Sequence, residues 1–361
     1  MEANGVASGA DAITSVRGIR VGHARLAGGG ALSGTTVVLA PRGGAVAGVD
    51  VRGGGPGTHE TDALDPRNLV RCVEAIVLTG GSAYGLASVH GVMGWLEEQD
   101  RGYRVGAGVG EVVPVVPGAA LFDLGRGGDF RARPDAALGR AAVESAARTA
   151  VGAPVEEGSV GAGTGAVAGG LRGGVGSSAI RLSSGITVGA LVVVNAVGSV
   201  LDPETGVLYG ELFEGRAVEH PSAPAHAAAR RRLDRARAET EARRRHDVGG
   251  AGPLNTTLAV VATDAVLSKA QAQKMAGCAH DGFARAIRPV HLMNDGDTTF
   301  ALATGELGIP DVAVMNTVLA AAADAVTRAI VRAVRAAEGF DGPGGCFPSY
   351  RDLYGAPTPT D

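Results

Sequence analysis

The chain has 361 residues, enough for one large domain or two ordinary ones, and its 45% hydrophobic and 19% charged residues allow a sizeable core. Aromatics are only 4% and the net charge is −4, so neither a stacking surface for nucleic acid nor a general pull toward polyanions is built in. Fifty-eight glycines without a G-X-Y period, interleaved with Val, Ala and Leu, exclude collagen and a plain flexible linker.

The opening stretch MEANGVASGADAITSV has no basic region followed by an apolar core and does not read as a signal peptide. Beyond it, short β-branched apolar runs bounded by glycine or proline recur at 35–40, 75–79, 112–116, 186–197 and 258–263. That is the pattern of strands buried on both faces. Helical periodicity falls at 84–98, at 134–150, where Pro134 suits a first turn, at 268–286, and at 311–338, where Asp311 sits near the cap. The longest candidate for a membrane span, 185–201, is rich in glycine and β-branched residues and reads as buried sheet instead. Strands mixed with helices predict an α/β (α+β) class with layers of helix and sheet.

From 214 to 252 the strand pattern gives way to proline, histidine and arginine, with eight arginines between Arg230 and Arg245. Asp234, Glu239 and Glu241 lie among them. A mixed run of this kind reads as a solvated helix or linker; the alternative, a nucleic-acid patch, would bind with steep salt dependence. The turn-like GGAGP at 249–253 marks a boundary before the strand pattern resumes. Cys72, Cys278 and Cys346 are scattered, have no metal-binding spacing and suit reduced thiols in a cytoplasm.

Familiar catalytic motifs lack key members. Gly80-Gly81-Ser82-Ala83-Tyr84-Gly85 puts its last glycine one position too far for a nucleophile elbow. Gly161-Ala162-Gly163-Thr164-Gly165-Ala166 fits a dinucleotide fingerprint, but no acid lies between Glu157 and Asp202 to hold a ribose. Lys269 and Lys274 are the only lysines, so no phosphate-binding loop is present. Residues 295–306 space acids like a calcium loop, but Phe300 stands where that loop needs glycine. His23, His59, His90 and His291 have no partner visible in the sequence and read as structural.

A base other than histidine is available at Asn255-Thr256, where a polar, glycine-rich stretch runs into a strand. Cleavage between the two would give Thr256 both a hydroxyl nucleophile and a free α-amine. An α-amine titrates near 7.7–8.0, so it takes up the hydroxyl proton near neutral pH. The same hydroxyl can first attack the Asn255 carbonyl, so one residue would serve maturation and turnover.

Several segments taken together resemble the L-aminopeptidase/D-esterase family of self-cleaving N-terminal-nucleophile hydrolases, which includes β-aminopeptidases and nylon-oligomer hydrolases. They are GIRVGHA at 18–24, GGGPGT at 53–58, LTGGSAYGLA at 78–87, GAGTGA at 161–166, VNA at 194–196, LNTT at 254–257 and NDGDT at 294–298. The resemblance implies a four-layer αββα sandwich, an α fragment of residues 1–255 and a β fragment of residues 256–361. The Arg-rich stretch 214–252 would then be a variable linker near the end of the α fragment.

Carried over by position, Thr256 matches the nucleophile and Asn195 the asparagine whose amide helps bind the oxyanion, a fixed donor that need not titrate. Asp295 and Asp297 match a polar pair that would hold the Thr256 ammonium or hydroxyl. Tyr84 lies in a segment lining the active region, without an assigned chemical role. Relatives can carry a lysine after the GAGTGA motif, where the nearest cation here is Arg172, and some place a tyrosine near the oxyanion, where Phe122 aligns. The implied activity is hydrolysis of amide bonds in peptide-like or ω- or β-amino-acid oligomer substrates, without metal or organic cofactor. Acyl transfer of the ornithine-acetyltransferase type and a non-cleaving binding protein are the alternatives. A cytoplasmic homo-oligomer of αβ units, with no nucleic-acid or membrane partner, is expected.

Overall fold

The structure is a computed structural model that describes residues 11–215, 217–244 and 254–355. In chain order its main strands are β1 (Arg20–Arg25), β2 (Gly34–Leu39), β3 (Ala45–Val51), β4 (Gly57–His59), β5 (Cys72–Val73), β6 (Ala75–Thr79), β7 (Gly118–Ala120), β8 (Val175–Arg181), β9 (Thr187–Val193), β10 (Leu258–Ala265) and β11 (Thr298–Leu307). The longer helices are α1 (Ser88–Glu98), α2 (Ala136–Arg148), α3 (Ala223–Arg244), α4 (Lys269–Ala286) and α5 (Val312–Ala336). One sheet runs β1-β2-β6-β7-β4 and the other β8-β9-β10-β11-β3-β5.

Alternation along the strands sorts side chains between the sheet faces. Val37 and Leu39 of β2 and Ala75 and Val77 of β6 meet Val89, Val92 and Leu96 of α1 and Ala142, Val143 and Ala146 of α2. Their neighbours Val38, Ile76 and Leu78 face the second sheet, packing with Leu191, Val193, Leu258, Val260, Phe300 and Leu302. On that sheet's outer face, Val192, Ala259, Val261 and Ala301 lie with Met275, Ala279 and Phe283 of α4 and Val318, Ala322 and Val326 of α5. The result is helix, sheet, sheet, helix. By length and composition α5 could cross a membrane, but Val318, Ala322, Ala325, Val326 and Ala329 of this helix are 0% exposed, in the protein core.

Several expected elements differ in detail. Of the run 112–116 only Val112–Val113 is strand, in a ribbon with Tyr103–Arg104; Pro114 and Pro117 interrupt the run, and the sheet strand is β7 just beyond. The helix expected over 84–98 is a single turn at Ser82–Gly85 followed by α1. Strands β1, β3, β8 and β11 carry glycines or polar residues that broke the apolar pattern.

Within the Arg-rich stretch, α3 turns Ala229, Leu233 and Ala236 inward at near-helical spacing, all under 8% exposed. Its polar side chains also dock: Thr240 exchanges hydrogen bonds with the Cys346 backbone at 2.9 Å, and Arg237 Nε donates to Gly169 O at 3.2 Å. Arg245 and the turn at 249–253 lie outside the described residues.

Helix and sheet approach too closely for a side chain at Gly176 of β8, where a methyl would come 2.0 Å from Ala329 O of α5. Gly94 in α1 has open space instead. Gly176→Ala is therefore expected to destabilise by about 1–3 kcal/mol through overpacking, and Gly94→Ala to stabilise by about 0.5–1 kcal/mol through helix propensity. Opposite shifts of the chemical-denaturation midpoint check this; equal shifts would contradict the packing described.

Candidate active site

The pairing of three strands brings one end of the second sheet to a point. Strand β10 is antiparallel to β9 and parallel to β11, with Val193, Leu258 and Thr298 in one register row. Two residues further along β9, and two residues before β10 and β11, lie Asn195, Thr256 and Gly296. The backbone continues the pairing there: Thr256 N–H donates to Asn195 O at 2.8 Å, and Gly296 N–H donates to Asn255 O at 3.1 Å. Three residues far apart in the chain therefore meet because strand order and register leave no other placement.

Thr256 is 3% exposed. Its hydroxyl donates to the carbonyl oxygen of Asn255 at 2.5 Å. That oxygen thus receives both the Thr256 hydroxyl and the Gly296 N–H. A methyl at position 296 would lie 2.6 Å from Thr256 Oγ1 and 2.8 Å from Gly55 O, so only glycine lets this backbone close over the hydroxyl.

Asp295 and Asp297 flank that glycine, each 1% exposed. Asp295 Oδ1 accepts from Val197 N at 3.2 Å and its Oδ2 from Leu292 N at 3.4 Å. Burial, then the neighbouring Asp297 charge, pushes the Asp295 carboxyl up to about 6. Asp297 Oδ1 accepts from Thr257 N at 2.8 Å, next to Thr256 in the chain. Its other oxygen takes the His291 backbone N–H at 3.1 Å and His291 Nδ1 at 2.8 Å. His291, which the sequence left without a partner, adopts a left-handed conformation with φ 59° and clasps the carboxylate six residues ahead. Its ring also meets His280 edge-on, with centroids 4.8 Å apart.

Asn195 is fully buried. Its side-chain oxygen accepts from Arg126 Nη1 at 2.5 Å and Val167 N at 3.1 Å, and its amide nitrogen donates to Phe122 O at 3.3 Å. The donors on the Asn255 carbonyl are the Gly296 N–H and the Thr256 hydroxyl, while the Asn195 amide nitrogen is bonded to Phe122 O. Asn255 Oδ1 accepts from Arg126 Nη2 at 2.9 Å, and its Nδ2 donates to Val167 O at 3.0 Å.

Arg126 thus joins the two asparagines, and sequence reasoning missed it. It is 4% exposed and also donates to Gly165 O at 2.8 Å. Its one signal was position, between glycines and three residues after Asp123. Asp123 is buried and accepts Gly81 N–H at 2.7 Å. Burial lifts its carboxyl to about 6, against the pull of that bond and of the Arg126 charge.

Two further expected residues make contacts of their own. Arg172 is 1% exposed, and its guanidinium donates to Glu338 O, Ser159 Oγ and Thr164 O at 2.9, 3.0 and 2.6 Å. It ties the segment after α5 to the GAGTGA loop, whereas the cation on the asparagines is Arg126. Tyr84 is 58% exposed, with the Arg133 guanidinium 3.7 Å above its ring.

Two facing sheets between helix layers make a four-layer αββα sandwich, the architecture of N-terminal-nucleophile hydrolases. Solved structures agree on the fold: a β-aminopeptidase of Burkholderia sp. superimposes with a TM-score of 0.69 at 24% identity, covering 97% of this chain and 94% of that one. The L-aminopeptidase D-Ala-esterase/amidase of Ochrobactrum anthropi, described as a variant of the Ntn hydrolase fold, gives 0.68 at 22% identity, covering 95% and 90%. The sequence profile of peptidase family S58 matches residues 11–346, and the chain belongs to that family of amide-bond hydrolases. An uncharacterized aminopeptidase of Mycobacterium leprae is 46% identical over 312 residues, 82% of this chain and 80% of that one. A 6-aminohexanoate-oligomer endohydrolase of Kocuria sp. is 33% identical over 248 residues, 65% of this chain and 62% of that one.

Gly296→Ala is expected to lower amide hydrolysis by about 100-fold or more, because it displaces the hydroxyl it touches. Rates with a generic aminoacyl amide, beside circular dichroism to confirm folding, check this. An unchanged rate in a folded variant would contradict the close packing of Gly296 on the Thr256 hydroxyl.

Proposed function

We propose that the protein is a self-processing amidohydrolase of the aminopeptidase kind, in which Thr256 cleaves the Asn255–Thr256 bond and then acts as an N-terminal nucleophile. The observation that carries this reading is the Asn255 carbonyl, gripped by Gly296 N–H and touched by the Thr256 hydroxyl at 2.5 Å. In the first stage Oγ1 attacks the Asn255 carbonyl carbon, and the oxyanion gathers on the oxygen that Gly296 holds. The hydroxyl proton passes to the Thr256 nitrogen as the C–N bond breaks, leaving an ester. Water hydrolyses the ester, giving a carboxylate on residue 255 and a free amine on residue 256.

In turnover the α-amine is the base. It takes the hydroxyl proton as Oγ1 attacks a substrate amide and returns it to the leaving amine; water then resolves the acyl-enzyme. Asn195 O keeps the nitrogen in place, as it does in the continuous chain. Asp297 anchors the next residue through Thr257 N–H, and Asp295, on the other side of Gly296, adds a second buried carboxylate to this edge. The aminopeptidase and 6-aminohexanoate-oligomer relatives support a peptide-like or amino-acid-oligomer amide as substrate. Three unpaired cysteines suit the reducing cytoplasm proposed as its location.

Intact mass spectrometry under denaturing conditions tests the first stage. Fragments split between 255 and 256, absent in Thr256→Ala, are expected; a wild-type chain that stays whole on prolonged incubation sinks the proposal.

The pH profile tests the second stage. Asp295 has a raised pKa, so its carboxylate is lost as pH falls through about 6. Protonation of the α-amine, which must be free to act as base, lowers the rate as pH falls through about 8. Loss of the Asp295 carboxylate is expected to add a second drop at about pH 6 or below, where the new ammonium favours the charged form, and that second limb to vanish from the residual rate of Asp295→Asn. A second limb that persists in the variant would assign it to another group, such as Asp123.

A further inference from the structure

A chain that cleaves itself presents its own residue 255 as the acyl part of a substrate, and the surroundings of Asn255 are specific. All four of its polar groups are engaged: N–H to Asn294 O at 3.3 Å, carbonyl to Gly296 N–H at 3.1 Å, side-chain oxygen to Arg126 at 2.9 Å, and side-chain nitrogen to Val167 O at 3.0 Å. The residue is 8% exposed, so these bonds are made out of bulk water, where an unmade partner is costly. A charged donor on one side and a backbone acceptor on the other match a carboxamide in one orientation.

We infer that this cradle is the enzyme's acyl-side subsite, and that it selects substrates whose N-terminal residue carries a carboxamide on its β carbon, asparaginyl amides above all. The inference rests on the self-processing reading above. Once the new C-terminus leaves, Arg126, Val167 O, Asn294 O and Gly296 N–H remain to receive an incoming residue. An asparaginyl substrate restores every bond: its α-amine takes the place of the Asn255 N–H, its scissile carbonyl the place on Gly296, and its side-chain amide the place between Arg126 and Val167.

Competing side chains each leave something unmade. Aspartyl keeps the pairing with Arg126 but sets its second oxygen against Val167 O. Alanyl and leucyl offer nothing in place of the Oδ1 that Arg126 Nη2 meets on Asn255, and lysyl brings a second cation to a buried guanidinium. Sites built to hydrogen-bond a polar side chain reject analogues lacking it more strongly than apolar pockets discriminate by size. The expected order is asparaginyl, aspartyl, alanyl, leucyl, lysyl.

The test has two arms. In the first, mature wild-type protein hydrolyses asparaginyl, aspartyl, alanyl, leucyl and lysyl 7-amido-4-methylcoumarin. Expected values of kcat/KM for asparaginyl exceed alanyl by about 10-fold or more and lysyl by about 100-fold or more. Arg126→Met is expected to erase the asparaginyl advantage. Since Arg126→Met can itself impair maturation, the second arm keeps Arg126 and varies the residue cleaved. Self-cleavage rates of the Asn255→Asp, Asn255→Ala, Asn255→Leu and Asn255→Lys chains should fall in the same order as the substrates.

A mature, active enzyme with a flat substrate ranking overturns the inference and leaves the self-processing reading intact. The same holds if only the self-cleavage series is ordered, since the cradle would then serve maturation alone. A wild-type chain that never cleaves and never hydrolyses an amide overturns both.

Discussion

The parallel pairing of β10 with β11 governs this site. Antiparallel neighbours bring the end of one strand beside the start of the next, but parallel neighbours bring two starts together. Because β9 runs against β10 and β11 runs with it, one strand end and two strand starts share a single edge. Thr256 sits between Asn195 and Gly296 for that reason alone. A one-residue slip of β11 would replace Gly296 with Asp295 or Asp297 beside the hydroxyl and turn the strand's inward side chains outward. The buried stack of Leu258, Val260, Phe300 and Leu302 between the sheets opposes such a slip, so the hydrophobic core fixes the geometry of the polar site.

The same edge explains why so many polar groups tolerate burial. Asn195, Asn255, Thr256, Asp295 and Asp297 are all at most 8% exposed. Strand ends leave backbone N–H and C=O groups without ladder partners, and these serve as fixed donors and acceptors for the side chains. Val167 is one example, donating its N–H to Asn195 and accepting from Asn255. The backbone at Val197, Leu292 and Thr257 holds the two carboxylates in the same way. Directional contacts of this kind hold a geometry more narrowly than apolar packing, which suits an edge where the Thr256 hydroxyl is held against the Asn255 carbonyl.

Much of this was legible in the sequence, unevenly and for physical reasons. Central strands such as β2, β6 and β10 declared themselves because burial on both faces demands unbroken apolar runs. Strand β11 did not, since its threonines and the acids around it obscured the pattern, although Phe300, Leu302 and their neighbours are core. Asn195, Asp295 and Asp297 were legible only through the resemblance, as their meeting with Thr256 depends on strand order that spacing does not encode. Arg126 and His291 were missed because a long-range partner or a left-handed turn leaves little trace in local pattern. Arg172, read from the sequence as the nearest cation after the GAGTGA motif, is bonded in the fold to Thr164 of that motif and to Glu338 and Ser159, partners that spacing does not encode.

Charge gives the site its direction. In the continuous chain the buried Asp297 holds the Thr257 N–H next to Thr256, the buried Asp295 stands on the other side of Gly296, and the buried Arg126 holds the Asn255 side chain. Burial disfavours such charges and is the first cause of the raised pKa values of Asp123 and Asp295, both about 6, with the Asp297 charge adding to the second. On the proposed reading, cleavage delivers an ammonium at residue 256, among these carboxylates, and an anion at residue 255, on the side of Arg126. Each new charge arises next to a group of opposite sign already in place. The fields that burial makes unfavourable in the uncut chain are those that would stabilise the products of the cut, so the electrostatics would drive maturation forward and hold the mature amine where it is needed.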